Sequence, residues 1–307
     1  MRGAPLPDLG FVGLGNMGAP ICGRLLDAGH RMIVCDVDPG AVARLGARGA
    51  TGAESPREVA DRVETVFTSL PTPESLEAVV LGVDGVLEGS AVRRLVDLST
   101  VGAATAERVA AALRARDIAY LDAPVSGGVG GAEAGTLAVM IAGSAAEIDA
   151  VRPMLERFGR KLFEIGAEPG LAQVMKLVNN YLSATAIAVS GEALAVGAKA
   201  GIDPDVMVEV INAGTGRNTA TESKFPNSIL TRSFDAGFAI SGMNKDLRLF
   251  IEQATSTGVT LFIGSEVRQL WQHGVDQLGP DADMTEVVKP IEQWAGVELR
   301  GGGGEPA

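Results

Sequence analysis

The chain has 307 residues, 46% of them hydrophobic and 21% charged, which is enough for two domains with sizeable cores and too apolar for a disordered chain. Its net charge of −12 and pI near 4.7 argue against a nucleic-acid partner, since phosphate binding draws on a basic surface. The two cysteines, Cys22 and Cys35, and two histidines, His30 and His273, lack metal-ligand spacing, so no metal is expected. Both thiols sit in apolar stretches and read as core residues in a reducing compartment. No signal peptide and no run of membrane-spanning length is read, so a cytoplasmic protein with no membrane partner is expected.

Residues 1–8 form an aperiodic leader. A four-residue apolar strand, Leu9 to Val12, then runs into Gly13, Gly15 and Gly18, and a helical pattern follows through Ile21, Leu25 and Leu26 to a stop at Gly29. Residues 31–36 read as a buried strand ending in Asp36. Helical patterns follow at 41–49 and 55–62, the second with Ser55 as its N-cap. Strands are expected at 64–70, 94–100, 117–124, 136–143 and 160–166, and helices at 74–81, 103–116 and 145–158. Strands alternating with helices of this length call for a doubly wound parallel sheet of the α/β class.

Beyond Glu168-Pro169-Gly170 the strand signals largely stop. Residues 170–201 contain no proline and carry apolar side chains on nearly every side, the pattern of a long buried helix. Further helical stretches are expected near 204–213, 222–231, 242–257, 261–274 and 283–295, before a glycine-rich, flexible tail. The layout is therefore an α/β domain over 1–168, an all-helical domain over 169–300 joined by the long helix, and a tail at 301–307.

Gly13-x-Gly15-x-x-Gly18 follows a strand, opens a helix and precedes an acid at the end of the next strand, which is the context of a dinucleotide-binding turn. The glycines permit a tight turn and let a pyrophosphate sit on the helix N-terminus. Asp36 would accept from the ribose hydroxyls and repel a 2′-phosphate; with no arginine directly after it, NAD is favoured over NADP. Further contacts are expected at the carboxyl ends of the next strands, around Leu70 and Thr100. Thr100 also suits an N-cap for the helix starting near Gly102, and both roles could hold at once. Downstream, Asp122-Ala-Pro-Val-Ser126-Gly127-Gly128 reads either as a backbone nest for a carboxylate or as a plain glycine-rich connection.

In the middle of the long apolar helix stand Lys176 and, one turn on, Asn180. A mid-helix lysine usually reaches solvent, but the neighbours Val174, Met175, Leu177 and Val178 argue for burial here. Desolvation and the positive end of the helix would disfavour its charged form, and a lysine near neutrality can exchange a proton with an alcohol oxygen.

Taken together, FVGLGNMGAPI, DAPVSGGVGGAEAGTL, LVNNYL and MNKDLRLF, in that order along the chain, resemble the β-hydroxyacid dehydrogenase family. The resemblance implies a Rossmann-type domain followed by a helical domain, and metal-free oxidation of small hydroxy acids or reduction of the matching semialdehydes. It implies Lys176 as the catalytic residue, with Ser126, Gly127, Gly128, Asn179, Asn180 and Phe238 toward the substrate. Asn16, Met17, Leu70, Thr100 and Lys245 would join the three glycines and Asp36 around the cofactor, with Asp246 beside Lys245. Without the resemblance, Lys245-Asp246 reads as a surface ion pair. The segment Gly214 to Lys224 is where family members differ. Arg217, Asn218 and Lys224 there suit reading the far end of a substrate, or equally a solvated loop.

The reading is an NAD-dependent dehydrogenase of 3-hydroxy acids, with a tartronate or succinate semialdehyde reductase as alternative and a non-catalytic dinucleotide-binding module as the rival of another class. A helix as apolar as 170–201 needs more cover than one small domain supplies, so a homodimer or homotetramer is expected.

Overall fold

The computed structural model describes residues 6–302. Residues 1–5 and 303–307, and with them most of the leader and of the expected flexible tail, lie outside the described residues. The chain forms two compact units, which divide between Lys176 and Leu177.

The first unit is built on a nine-stranded sheet. Its strands β1 (Leu9–Val12), β2 (Met32–Cys35) and β4 (Thr65–Thr68) are buried at every position, because helices cover both faces. With β3 (Thr51–Gly52), β5 (Arg94–Asp97) and β6 (Ala119–Asp122) they run parallel in the order β3-β2-β1-β4-β5-β6. That order reverses between β1 and β4, and a cleft opens at such a switch point beyond the carboxyl ends of the strands. The crossovers carry α1 (Gly18–Asp27), α2 (Pro39–Gly46), α3 (Pro56–Ala60), α4 (Pro73–Leu81) and α5 (Ala103–Arg114). Ser55 caps α3 as its sequence suggests, and Asp38 and Thr72 cap α2 and α4 in the same way. Cys22 and Cys35 are buried thiols.

The edge of the sheet departs from the wholly parallel expectation. After β6 come β7 (Val125–Ser126), α6 (Gly128–Ala134), β8 (Leu137–Ala142), α7 (Ala145–Leu155) and β9 (Gly159–Gly166). β8 runs antiparallel to both β6 and β7, and β9 continues parallel to β8. The connection from β7 to β8 is too short for a parallel crossover, so the chain turns back on itself. α6 occupies what reads as a glycine-rich loop; Ala132 anchors it in the core.

α8 (Leu171–Lys199) is one continuous 29-residue helix. Ala172 packs with Met140 and Ala142 of the first unit, and Ala184, Ile187 and Leu194 enter the core of the second. The helix is not buried all round as expected. Met175, Leu182, Val189 and Val196, seven residues apart, are 38%, 62%, 53% and 72% exposed. Among the described residues α8 is also long and apolar enough to cross a bilayer, contrary to the sequence reading, but with two folded cores built on its buried faces we read it as a core helix.

The second unit adds α9 (Pro204–Ala213), a π-helix (Ala220–Ile229), α10 (Ile240–Ser256), α11 (Gly264–Leu278) and α12 (Val288–Ala295) around the fully buried Trp271. The π-helix lies where an ordinary helix was expected. Pro226 has no N–H to give, and the wider winding, closed by Leu230 N to Phe225 O at 2.8 Å, carries the chain past it.

Candidate active site

The Gly13–Gly18 turn leaves β1 at the switch point. Gly13 has φ +93, and a Cβ there would collide with the Ser69 carbonyl on the neighbouring strand end. Gly15 differs: a Cβ there would meet nothing within 4 Å. It projects toward a cleft of about 430 Å³ lined by Asn16, Asp36, Asp38, Arg44 and Val129. The residues present therefore fit a dinucleotide, with open space where the backbone must approach a pyrophosphate.

Asp36 is already oriented. Its Oδ2 accepts from Leu14 N at 2.5 Å and its Oδ1 from Asp38 N at 2.7 Å, so one carboxylate closes the turn and faces the cleft. Although no arginine follows Asp36 directly, the fold brings Arg44 to the same cleft, where it lies 3.3 Å from Asp38. No local motif marks this residue, because α2 supplies it from eight positions further on. Met17 ends the turn against the core, and Leu70 donates its N–H to Ser99 Oγ at 2.9 Å. Thr100 lies on the β5–α5 loop, but the cap position of α5 is Gly102, at φ +80 and with no side-chain cap bond. The N-cap role considered for Thr100 is thus not realised.

Behind this loop lies a buried polar network that the sequence reading did not find. The parallel register places Thr68, Asp97 and Asp122 in one row across the ends of β4, β5 and β6. Asp97 accepts from Thr68 Oγ1 at 2.8 Å, Ser99 Oγ at 2.5 Å and Tyr120 Oη at 3.2 Å. Burial pushes its carboxyl up, against the pull of these donors. Asp122 Oδ2 accepts from Gly170 N at 3.2 Å and Gln173 N at 3.1 Å, which caps the start of α8. Its Oδ1 is buried with no hydrogen-bond partner among the described residues. Burial first, and the neighbouring Asp97 charge after it, push Asp122 up to about 7, while the backbone N–H groups hold it down.

Ser126 ends β7, and Gly127 and Gly128, at φ +136 and +67, turn the chain into α6. The expected loop is therefore a strand-to-helix turn, with the first N–H groups of α6 outside any helical ladder.

Lys176 is 8% exposed on α8, in the first unit. In the second unit, Asn180 Nδ2 donates to Asp246 Oδ2 at 2.6 Å, and Asn179 Nδ2 donates to Asn180 Oδ1 at 3.0 Å. Lys245 Nζ lies 3.1 Å from Asp246 Oδ1, and both side chains are largely buried. This fixed cluster replaces the surface ion pair that Lys245-Asp246 suggests in isolation. Phe238 is half-buried against the core of this unit. Arg217 does not join the cluster; it is 64% exposed and 3.6 Å from Glu222. Asn218 is structural, its Oδ1 accepting from Ala220 N and Thr221 N at the head of the π-helix. Lys224 is half-buried on that helix, and burial lowers its pKa.

The fold order, the glycine turn and the anchored acid define a nicotinamide-dinucleotide-binding oxidoreductase. Residues 8–166 match the model of the NAD-binding domain of 6-phosphogluconate dehydrogenase, and residues 170–291 that of the NAD-binding part of NADP-dependent 3-hydroxyisobutyrate dehydrogenase. The chain is 40% identical to a 3-hydroxyisobutyrate dehydrogenase of Pseudomonas aeruginosa over 87% of its own length and 91% of that protein's. It is 31% identical to the 3-sulfolactaldehyde reductase of Escherichia coli, covering 95% of this chain and 98% of that one. A Mycobacterium tuberculosis 3-hydroxyisobutyrate dehydrogenase structure with L-serine superposes with TM-score 0.85 at 31% identity, covering 93% of this chain and 99% of that one. The chain belongs to the β-hydroxyacid dehydrogenase family, with 3-hydroxyisobutyrate dehydrogenases among its relatives.

Two outcomes follow from this geometry. In Gly15→Ala the new methyl has room, so the melting temperature should hold, while NAD affinity measured by calorimetry falls about tenfold or more as the methyl fills the phosphate approach. Asp122 has a folded pKa raised above its unfolded value of 3.8, so its contribution to stability is full below that value and lost as pH rises through about 7. Asp122→Asn should therefore gain on the wild type by about 1.4 kcal/mol per pH unit between pH 5 and 7 and level off above, read from urea midpoints. A margin that stays flat with pH would contradict the buried protonated acid.

Proposed function

We propose that the chain is an NAD-preferring dehydrogenase of small 3-hydroxy acids, of the 3-hydroxyisobutyrate type, with Lys176 as general acid/base. The observation that carries this reading is a lysine buried at 8% exposure, one turn into a helix tied to the carboxyl ends of β5 and β6. Burying an ammonium is costly unless the site uses it. The relatives of known reaction act on small hydroxy acids or aldehydes, which supports the substrate class.

When bound, the dinucleotide supplies the hydride acceptor. The N–H groups at Gly127 and Gly128 and the Ser126 hydroxyl hold the substrate carboxylate, as donors at a helix start favour an anion. Lys176 Nζ takes the hydroxyl proton during oxidation and returns it in reduction. Asn180, one turn beyond, orients the substrate, with its amide fixed by Asp246. Asp36 sets the cofactor preference, since its anchored carboxylate matches a ribose diol and repels a 2′-phosphate. The reductive direction, on a semialdehyde, uses the same residues and is favoured by the reductase of Escherichia coli among the relatives.

In Lys176→Ala, turnover should fall on the order of 10²–10⁴-fold while NAD binding stays near wild type; unchanged turnover would remove the mechanism. A panel of 3-hydroxyisobutyrate, L-serine, glycerate and 4-hydroxybutyrate, followed as NADH formation, assigns the substrate. No turnover with any of them in either direction, despite tight NAD binding, would point to a binding module.

The exposed stripe of Met175, Leu182, Val189 and Val196 on α8 leads us to propose a homo-oligomer, dimer or tetramer, with this helix at the subunit contact. Light scattering at micromolar concentration should give at least twice the 31.5 kDa chain mass; a monomeric mass would count against it.

A further inference from the structure

Gln173 is fully buried in the first turn of α8, and every polar group of its side chain is used on one loop. Its Oε1 accepts from Val101 N at 2.9 Å and from Gly102 N at 3.2 Å, and its Nε2 donates to Ser99 O at 3.1 Å. These three backbone groups bracket Thr100. One of them, Gly102 N, belongs to the cap position of α5, which has no side-chain cap bond of its own. The amide of Gln173 thus holds the loop that leads into α5 from another element.

The contacts continue in both directions. Gln173 N donates to Asp122 Oδ2, and Ser99 Oγ links Leu70 N to Asp97. One unbroken chain of hydrogen bonds therefore runs from the end of β4 through the β5–α5 loop to the first turn of α8. Three residues on from Gln173, on the same side of that helix, is Lys176.

Building on the reading of Lys176 above and on the expected cofactor contact at Thr100, we propose that Gln173 is a positioning residue for the reaction: it locks the Ser99–Gly102 loop and the first turn of α8 into one body, so that Thr100 and Lys176 keep a fixed separation. A hydrophobic residue of the same size would fill the space and hold nothing in register. A displacement of about 1 Å at a reacting group costs on the order of 10²-fold in rate.

Gln173→Met keeps the volume and removes all three side-chain bonds. It should lower kcat by about 10- to 100-fold with KM for the hydroxy acid within about threefold. Val101→Ala, which opens a cavity in the same place but keeps every bond of Gln173, serves as the control for lost stability. If Gln173→Met loses no more kcat than Val101→Ala, the positioning role is refuted.

Gln173→Glu gives a second readout. Protonated, the acid reproduces the amide pattern, with O–H toward Ser99 O and C=O toward the two N–H groups; ionised, it cannot donate. The titratable groups around that site are Asp97, Asp122 and Tyr120 on the sheet, Glu107 on α5 and Lys176 on its own helix. The kcat of Gln173→Glu relative to wild type should therefore recover toward low pH; a ratio that does not change with pH is the contrary result.

Amide exchange separates this proposal from the lysine mechanism. Gln173→Met should expose the Val101 and Gly102 amides to exchange, and Lys176→Ala should leave them protected. If Lys176→Ala retains turnover, the lysine reading falls while exchange still decides the lock. If exchange is unchanged in Gln173→Met, the lock falls whatever Lys176 does.

Discussion

A helix that begins inside a protein must find acceptors for the N–H groups of its first turn, and that requirement governs the start of α8. The acceptor is Asp122, the last residue of β6 and fully buried. One of its oxygens serves two backbone donors, and the other faces no donor among the described residues. Burial, with the Asp97 charge beside it, pushes a carboxyl placed so up to about 7. The neighbouring Asp97 solves the same problem differently, by collecting donors from Thr68, Ser99 and Tyr120. Two buried acids side by side are thus tolerable because they are not supported in the same way.

The dinucleotide turn shows the same economy of backbone groups. Asp36 spends both oxygens on N–H groups of its own surroundings, Leu14 and Asp38, and so holds its place without a ligand. Gly13 is required by contact with the next strand end, whereas Gly15 has free space around it. The first glycine serves the fold and the second serves what approaches the turn. Arg44, held by Asp38 on the same rim, adds a cation to a cleft whose sequence signature is an acid.

What could be read from the chain was whatever depends on local pattern. Apolar runs ending in turn residues gave the strands, and Ser55 its cap, because period and capping are properties of short stretches. The reversal at β8 was not readable, since helix–strand alternation looks the same whether a strand enters parallel or antiparallel. α6 was hidden by glycines that are poor helix formers, and it stands because Ala132 is buried in the core. Gln173 went unnoticed for a different reason. An amide in an apolar run carries no charge to explain, while Lys176 does; only the fold shows that its three bonds meet one loop. Arg217, which the sequence leaves open between a substrate contact and a solvated loop, stands at the surface beside Glu222.

These points meet in α8, which is amphipathic in the wrong direction over its first half. Gln173, Lys176 and Asn180 lie buried along one side at spacings of three and four, and Met175, Leu182, Val189 and Val196 lie exposed on the other at spacings of seven. A surface helix of a single domain would carry the opposite arrangement. Seen as composition alone, the two stripes average to a helix that is apolar all round, and the distinction disappears. Seen in place, polar groups turned inward need partners that burial will not supply for free, and they have them in Ser99, Val101, Gly102 and Asp246. The helix is therefore organised from its polar side, with the core packed around those bonds and the apolar side left as the face that still has surface to bury.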